Sequence, residues 1–149
     1  LAFERGTDGP RVILVGVNGS DASWRAAAYA TGLARRQGAL LVLLYVQPVP
    51  AIAATTGLGA ALVEMTRSVA EQICDQVRAG LASMDGTSAP RWEFRTVSGH
   101  VVSCLSQAAC ELRADAVVIG TSRRIGRRLP GSIAARLVRS GRWPVTVVP

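Results

Sequence analysis

The stretch "RVILVGVNGSDAS", residues 11–23, decides the fold. Its first seven residues are almost wholly apolar and rich in β-branched side chains. Strict alternation would mark a strand wet on one side. An unbroken run marks a strand buried on both, as in a parallel sheet. A parallel strand cannot turn straight back into its neighbour, so a crossover helix has to follow it. "NGSDAS" supplies the start of that helix, with Ser20 or Asp21 as N-cap of the pattern "WRAAAYATGLARRQ", and Gly38 supplies the stop.

The same alternation continues outward. "ALLVLLYV", 39–46, reads as a second buried strand, and "QPVPAIAATTGLG" as an irregular connection. Leu58, Leu62, Met65, Val69, Ile73, Val77, Leu81 and Met84 then recur at helical spacing, with Glu64–Arg67 and Asp75–Arg78 placed to pair on the wet face. "RWEFRTV", 91–97, alternates as a peripheral strand. Val101, Leu105, Ala108 and Leu112 share one face of a third helix, and "DAVVIG", 115–120, is a fourth strand. "SIAARLVRSG" is the last helix, and "WPVTVV" the last strand, with Pro144 at its entry. Strands and helices in strict alternation imply an α/β domain, a parallel sheet with helices on both faces. Ligands of such sheets bind beyond the carboxyl ends of the strands, where the strand order reverses. That directs attention to "VNGSDAS", "YVQPVP" and "GTSRRIGRRLPGS".

A chain of 149 residues fits one domain, here 11–149 after an N-terminal tail at 1–10. No apolar run approaches the roughly 18–20 residues of a membrane span, and "LAFERGTDGP" lacks the apolar centre of a secretory signal. A soluble, cytoplasmic protein is expected. The net charge of +7 comes from arginine alone, because the chain has no lysine. A GC-rich genome can produce that composition, so the charge permits a nucleotide, nucleic acid or acidic lipid without choosing among them. Cys74, Cys104 and Cys110 fall in helical segments and read as small hydrophobes in a reducing compartment. His100 is the sole histidine, which argues against a zinc site and against a Ser/His/Asp triad. No metal site and no catalytic residue are expected.

"GTSRRIGRRLPGS", 120–132, is the stretch with most functional content. Its "GRRLPGS" has the glycine spacing of a Walker loop, but lacks the lysine before the hydroxyl residue and follows the fourth strand instead of the first. "VGVNGS" has G-x-x-G, not the dinucleotide G-x-G-x-x-G. Even so, Gly131 and Ser132 open a helix, whose free amides and positive dipole end suit a phosphate. Arg123, Arg124, Arg127 and Arg128 add charge nearby. The competing reading is a solvated basic turn with Ser132 as an ordinary N-cap.

Three segments, "ILVGVNGSDASWRAAAYA", "SGHVVSCLSQAACELRADAVVIGTS" and "LPGSIAARLVRSGRWPVTVVP", make the chain resemble a universal stress protein of the UspA type over 11–149. The resemblance implies strand order 3-2-1-4-5 in an adenine nucleotide alpha hydrolase-like, Rossmann-like fold. It also implies a homodimer paired through Pro144, Val145, Thr146, Val147 and Val148, and a stress-response role that is not enzymatic. ATP-binding members are similar in carrying G-x2-G-x9-G-[S/T] after the fourth strand and an acid after the first. Carried over residue by residue, Gly120, Gly131, Ser132 and Ile133 match the phosphate loop. Arg123 replaces its second glycine, Gly126 offers another flexible point, and the loop is two residues shorter than the pattern. Gly16, Val17, Asn18 and Ser20 form the matching first loop, with Asn18 where binders carry aspartate, and Val46 would lie beside the base. The implied ligand is ATP or a related adenine nucleotide, with Mg²⁺. The alternative is a UspA-type dimer without nucleotide, acting as a protein-interaction module. Nucleic acid is disfavoured as a partner, since no aromatic residue is interleaved among the arginines for stacking.

Overall fold

The computed structural model describes residues 9–49, 59–84, 88–121 and 132–149. Nine elements alternate along the chain: β1 (Val12–Val17), α1 (Asp21–Gln37), β2 (Leu40–Gln47), α2 (Gly59–Ala82), β3 (Trp92–Ser98), α3 (Val101–Glu111), β4 (Ala116–Gly120), α4 (Ile133–Ser140) and β5 (Val145–Val148). The five strands form one sheet in the order β3-β2-β1-β4-β5, and every adjacent pair is parallel. This is the expected α/β architecture.

The unbroken apolar run of β1 is explained by its place in the middle. Ile13, Leu14 and Val15 are completely buried. Ile13, Val15 and Val17 face a core built with Ala26, Ala30 and Ala34 of α1 and Ile73 and Val77 of α2. Leu14 points the other way, into a core with Leu105 and Ala109 of α3 and Leu137 of α4. α1 and α2 thus cover one face, and α3 and α4 the other. The alanine stripe of α1 lets that helix lie close to the strands. Its ends are set as the sequence requires: the Ser20 side chain accepts from the Ser23 amide, and Gly38 adopts the left-handed conformation at φ 63°. At the amino edge of the sheet, the Asp115 carboxylate accepts from the amides of Arg11 and Val12 at 2.8 and 2.9 Å, tying the start of β4 to the start of β1.

α2 departs from the sequence expectation. Its apolar stripe is buried only from Ala70 onward, at Ala70, Ile73, Val77 and Leu81, whereas Val63, Met65 and Val69 are exposed. The reason is length. A helix of 24 residues runs about 36 Å, and a strand of 8 residues about 26 Å. The first turns of α2 therefore rise past the carboxyl end of the sheet, beyond the point where the Gln47 side-chain amide meets the Thr66 carbonyl at 3.2 Å. Neither expected ion pair forms on this helix: Arg67 reaches Glu71 instead, at 3.4 Å across one full turn, and the pair is exposed. Leu58 lies outside the described residues.

Two glycines should respond to substitution in opposite directions. A Cβ on Gly120 would stand 2.5 Å from the backbone carbonyl of Ala22, whereas one on Gly80, within α2, would meet nothing inside 4 Å. Gly120→Ala is expected to lower the unfolding free energy by about 1–3 kcal/mol, through a clash with unyielding backbone. Gly80→Ala is expected to raise it by about 0.5–1 kcal/mol. Urea denaturation measures both.

Candidate functional site

In a parallel sheet all carboxyl ends share one edge. Here the order reverses at β1, since β2 lies on one side and β4 on the other, so the crevice for a ligand opens between the ends of β1 and β4. The loop from β1 leads into α1 at this edge, and α4 follows β4.

The first loop satisfies its own polar atoms. The Asn18 side-chain oxygen accepts from the Ser20 amide at 3.0 Å, and the Asn18 amide donates to the Ser23 hydroxyl at 3.2 Å. That hydroxyl donates to the Ser20 carbonyl at 2.9 Å, and the Ser20 hydroxyl accepts from the Ser23 amide at 3.2 Å. Ser23 is buried, so this closed circuit meets the rule that a buried hydroxyl must be paired. It also changes what Asn18 can offer. An aspartate could give one oxygen to the Ser20 amide and keep the other for a ligand. Asparagine has a single oxygen, which already accepts from the Ser20 amide and keeps one lone pair, and it carries an NH2 donor where aspartate has a second acceptor.

Each expected site residue can now be placed. Gly16 and Val17 end β1; Val17 is buried in the core. A Cβ at Gly16 would make ordinary contacts with Leu105 and Ile119, so no close approach depends on that glycine. Ser20 is the N-cap of α1. Val46 is buried in the α3/α4 core. Gly120 is the last residue of β4 and lies against the backbone of the first turn of α1, which gives it a packing role independent of any ligand. Ser132 caps α4, accepting from the Ala135 amide at 3.2 Å. Its hydroxyl hydrogen remains to donate, and helix geometry leaves the amides of Ile133 and Ala134 without an intrahelical acceptor. Arg123, Gly126 and Gly131, with Arg124, Arg127 and Arg128, lie outside the described residues.

One opening lies at this edge, on the α3/α4 side. It is an open cleft of about 530 Å³, lined by Pro48 and Val49 after β2, Gly99 and His100 before α3, and Ile133 and Arg136 of α4. Among the described site residues, only Ile133 lines it. Reading the sequence for catalytic partners of His100 missed that this residue ends the third strand–helix loop, at the same sheet edge as the other two. Near this edge, burial holds the Tyr45 phenol above the ordinary tyrosine range and keeps it neutral. Among the described residues no group of histidine, cysteine and carboxylate side chains could hold a metal ion, and no helix is long and apolar enough to cross a membrane.

The profile of the Universal stress protein family matches residues 10–149. The chain belongs to the universal stress protein family. A relative described as the universal stress protein in the QAH/OAS sulfhydrylase 3′ region of Thermus aquaticus is 30% identical over 141 residues, covering 93% of this chain and 98% of that one. Among solved structures, universal stress protein UspA from Lactobacillus plantarum superposes with a TM-score of 0.79 at 28% identity, over 93% of this chain and 97% of that one. A universal stress protein in complex with cAMP does so with a TM-score of 0.66 at 26% identity, over 94% and 97%. This universal stress protein therefore carries the family fold.

The two serine caps are the structural members of those loops. Ser20→Ala and Ser132→Ala are each expected to cost about 1 kcal/mol of stability, and Ser20→Asp much less, since a carboxylate also caps. Thermal and urea denaturation of the single variants measure this.

Proposed function

We propose that this stress-response domain is a sensor that binds an adenine nucleotide, ATP or a close relative with Mg²⁺, at the carboxyl edge of its sheet, and that it works as a homodimer paired through β5. The observation that carries the reading is the opening of α4 at the end of β4, where the amides of Ile133 and Ala134 and the Ser132 hydroxyl hydrogen are free to donate to an anion. A relative that shares the fold at similar length binds cAMP, which supports an adenine nucleotide as the ligand class. The site as described offers little to a metal ion, so Mg²⁺ would arrive on the phosphates of the nucleotide. The proposal is binding without turnover, with the protein in the cytoplasm.

The dimer is supported by β5 itself. It closes one edge of the sheet, and its outer side is unpaired among the described residues. Val147 is exposed there, and an apolar sheet edge left open is a hazard that pairing with a second copy removes. Pro144 at the entry, with Val145, Thr146 and Val148, would complete that edge.

One observation favours the alternative, an interaction module without nucleotide. Asn18, Ser20 and Ser23 satisfy one another, so the first loop needs no ligand to be complete.

Millimolar ATP with Mg²⁺ is expected to raise the melting temperature, and Gly131→Val combined with Ser132→Ala to abolish the rise when each protein is compared with its own unliganded state. No rise in the unmodified protein would exclude the nucleotide reading and leave the interaction module. Sedimentation equilibrium is expected to give twice the chain mass, and Val147→Lys to return the monomer.

A further inference from the structure

The cleft on the α3/α4 side contains a contact that the nucleotide reading does not use. Arg136 Nη1 lies 3.3 Å from His100 Nε2. A guanidinium has no acceptor, so the contact is a hydrogen bond only while the ring is neutral and Nε2 carries no proton. Once His100 is protonated, two cations stand side by side. Among the described residues no carboxylate relieves them: none that lines the cleft is acidic, the first turns of α3 and α4 carry no acid, and neither ion pair involves Arg136. The elements facing His100 across the cleft are α4, which contributes Arg136, and the end of β2, which contributes the uncharged Pro48 and Val49. His100 makes no side-chain capping bond to the helix it precedes.

The geometry points to a proton-linked site for a doubly charged tetrahedral oxyanion, such as the phosphate of a phosphate monoester, held between His100 and Arg136 in this cleft. The oxyanion replaces a repulsion between two donors with two charge-assisted hydrogen bonds. Protonation gives the ring a positive charge and a second donor, so the anion binds more tightly as the solution is acidified. The apolar walls supplied by Val49, Val101 and Ile133 leave room for an organic body attached to the phosphate. Asn18, Ser20 and Ser132 do not line this cleft, whereas Ile133, whose amide the nucleotide reading uses, does.

Sulfate is the probe of choice, because its charge is constant between pH 6 and pH 8 and any change in affinity belongs to the protein. The chain has a single histidine, so the imidazole proton resonances report on His100 alone. Titration with sodium sulfate at pH 6, against sodium chloride at matched ionic strength, is expected to move those resonances saturably. Affinity is expected to be several-fold higher at pH 6 than at pH 8. Arg136→Gln, an exposed substitution that leaves the fold intact, is expected to weaken binding about tenfold. A response identical in sulfate and chloride, or an affinity unchanged by pH or by Arg136→Gln, overturns the inference. AMP and adenosine then distinguish the source. Competition of AMP with sulfate assigns the site to a nucleotide phosphate, and sulfate binding undisturbed by AMP assigns it to a free oxyanion or another ester; either result supports the site. Should ATP fail to raise the melting temperature while sulfate still moves His100, only the nucleotide reading falls.

Discussion

The structure depends on a strand with no free edge and no wet face. β1 must pair its backbone on both sides, with β2 through its full length and with β4 over Ile13–Val15, because an unpaired amide at its depth would cost as much as several good contacts return. Once that strand is central and its neighbours are parallel, the right-handed crossovers leave little choice. Connections running toward β3 put α1 and α2 on one face, and those running toward β5 put α3 and α4 on the other. The reversal at β1 is the same fact seen from the carboxyl edge, and it creates the crevice.

What the crevice can bind is then set by how tightly its walls are closed. β4 ends against the first turn of α1 so closely that only glycine fits at position 120. The first loop turns its serines and Asn18 inward on one another. The wall formed by β1 and α1 is therefore rigid and largely self-satisfied, and the donors left for an anion come from α4 and from the His100–Arg136 pair. Asn18 has a single side-chain oxygen, and the loop already uses one of its two lone pairs on the Ser20 amide.

The first half of α2 shows the limit of periodicity as a guide to burial. Apolar residues at steps of three and four establish which side of a helix is apolar, but not whether anything stands opposite. At Ala70–Leu81 the sheet is there; at Val63 and Met65 it has already ended. The length mismatch between helix and strand is invisible until both are placed.

The sequence by itself determined the element order, the parallel sheet, the caps at Ser20 and Ser132 and the family, because unbroken apolar runs, cap residues and glycine stops are local physical signals that neighbours rarely override. Residues whose chemistry depends on what comes to meet them were decided only by the tertiary structure. Gly120 reads in the sequence as a phosphate-loop glycine, and the fold gives it a helix to pack against. His100 reads as a histidine without partners, and α3 and α4, remote in sequence, bring Arg136 to it. Asn18 reads as an acceptor open to a ligand, and the turn of the loop brings the Ser20 amide to it. In each case the deciding contact joins an atom named by the sequence to one whose position follows from the closure of the whole sheet.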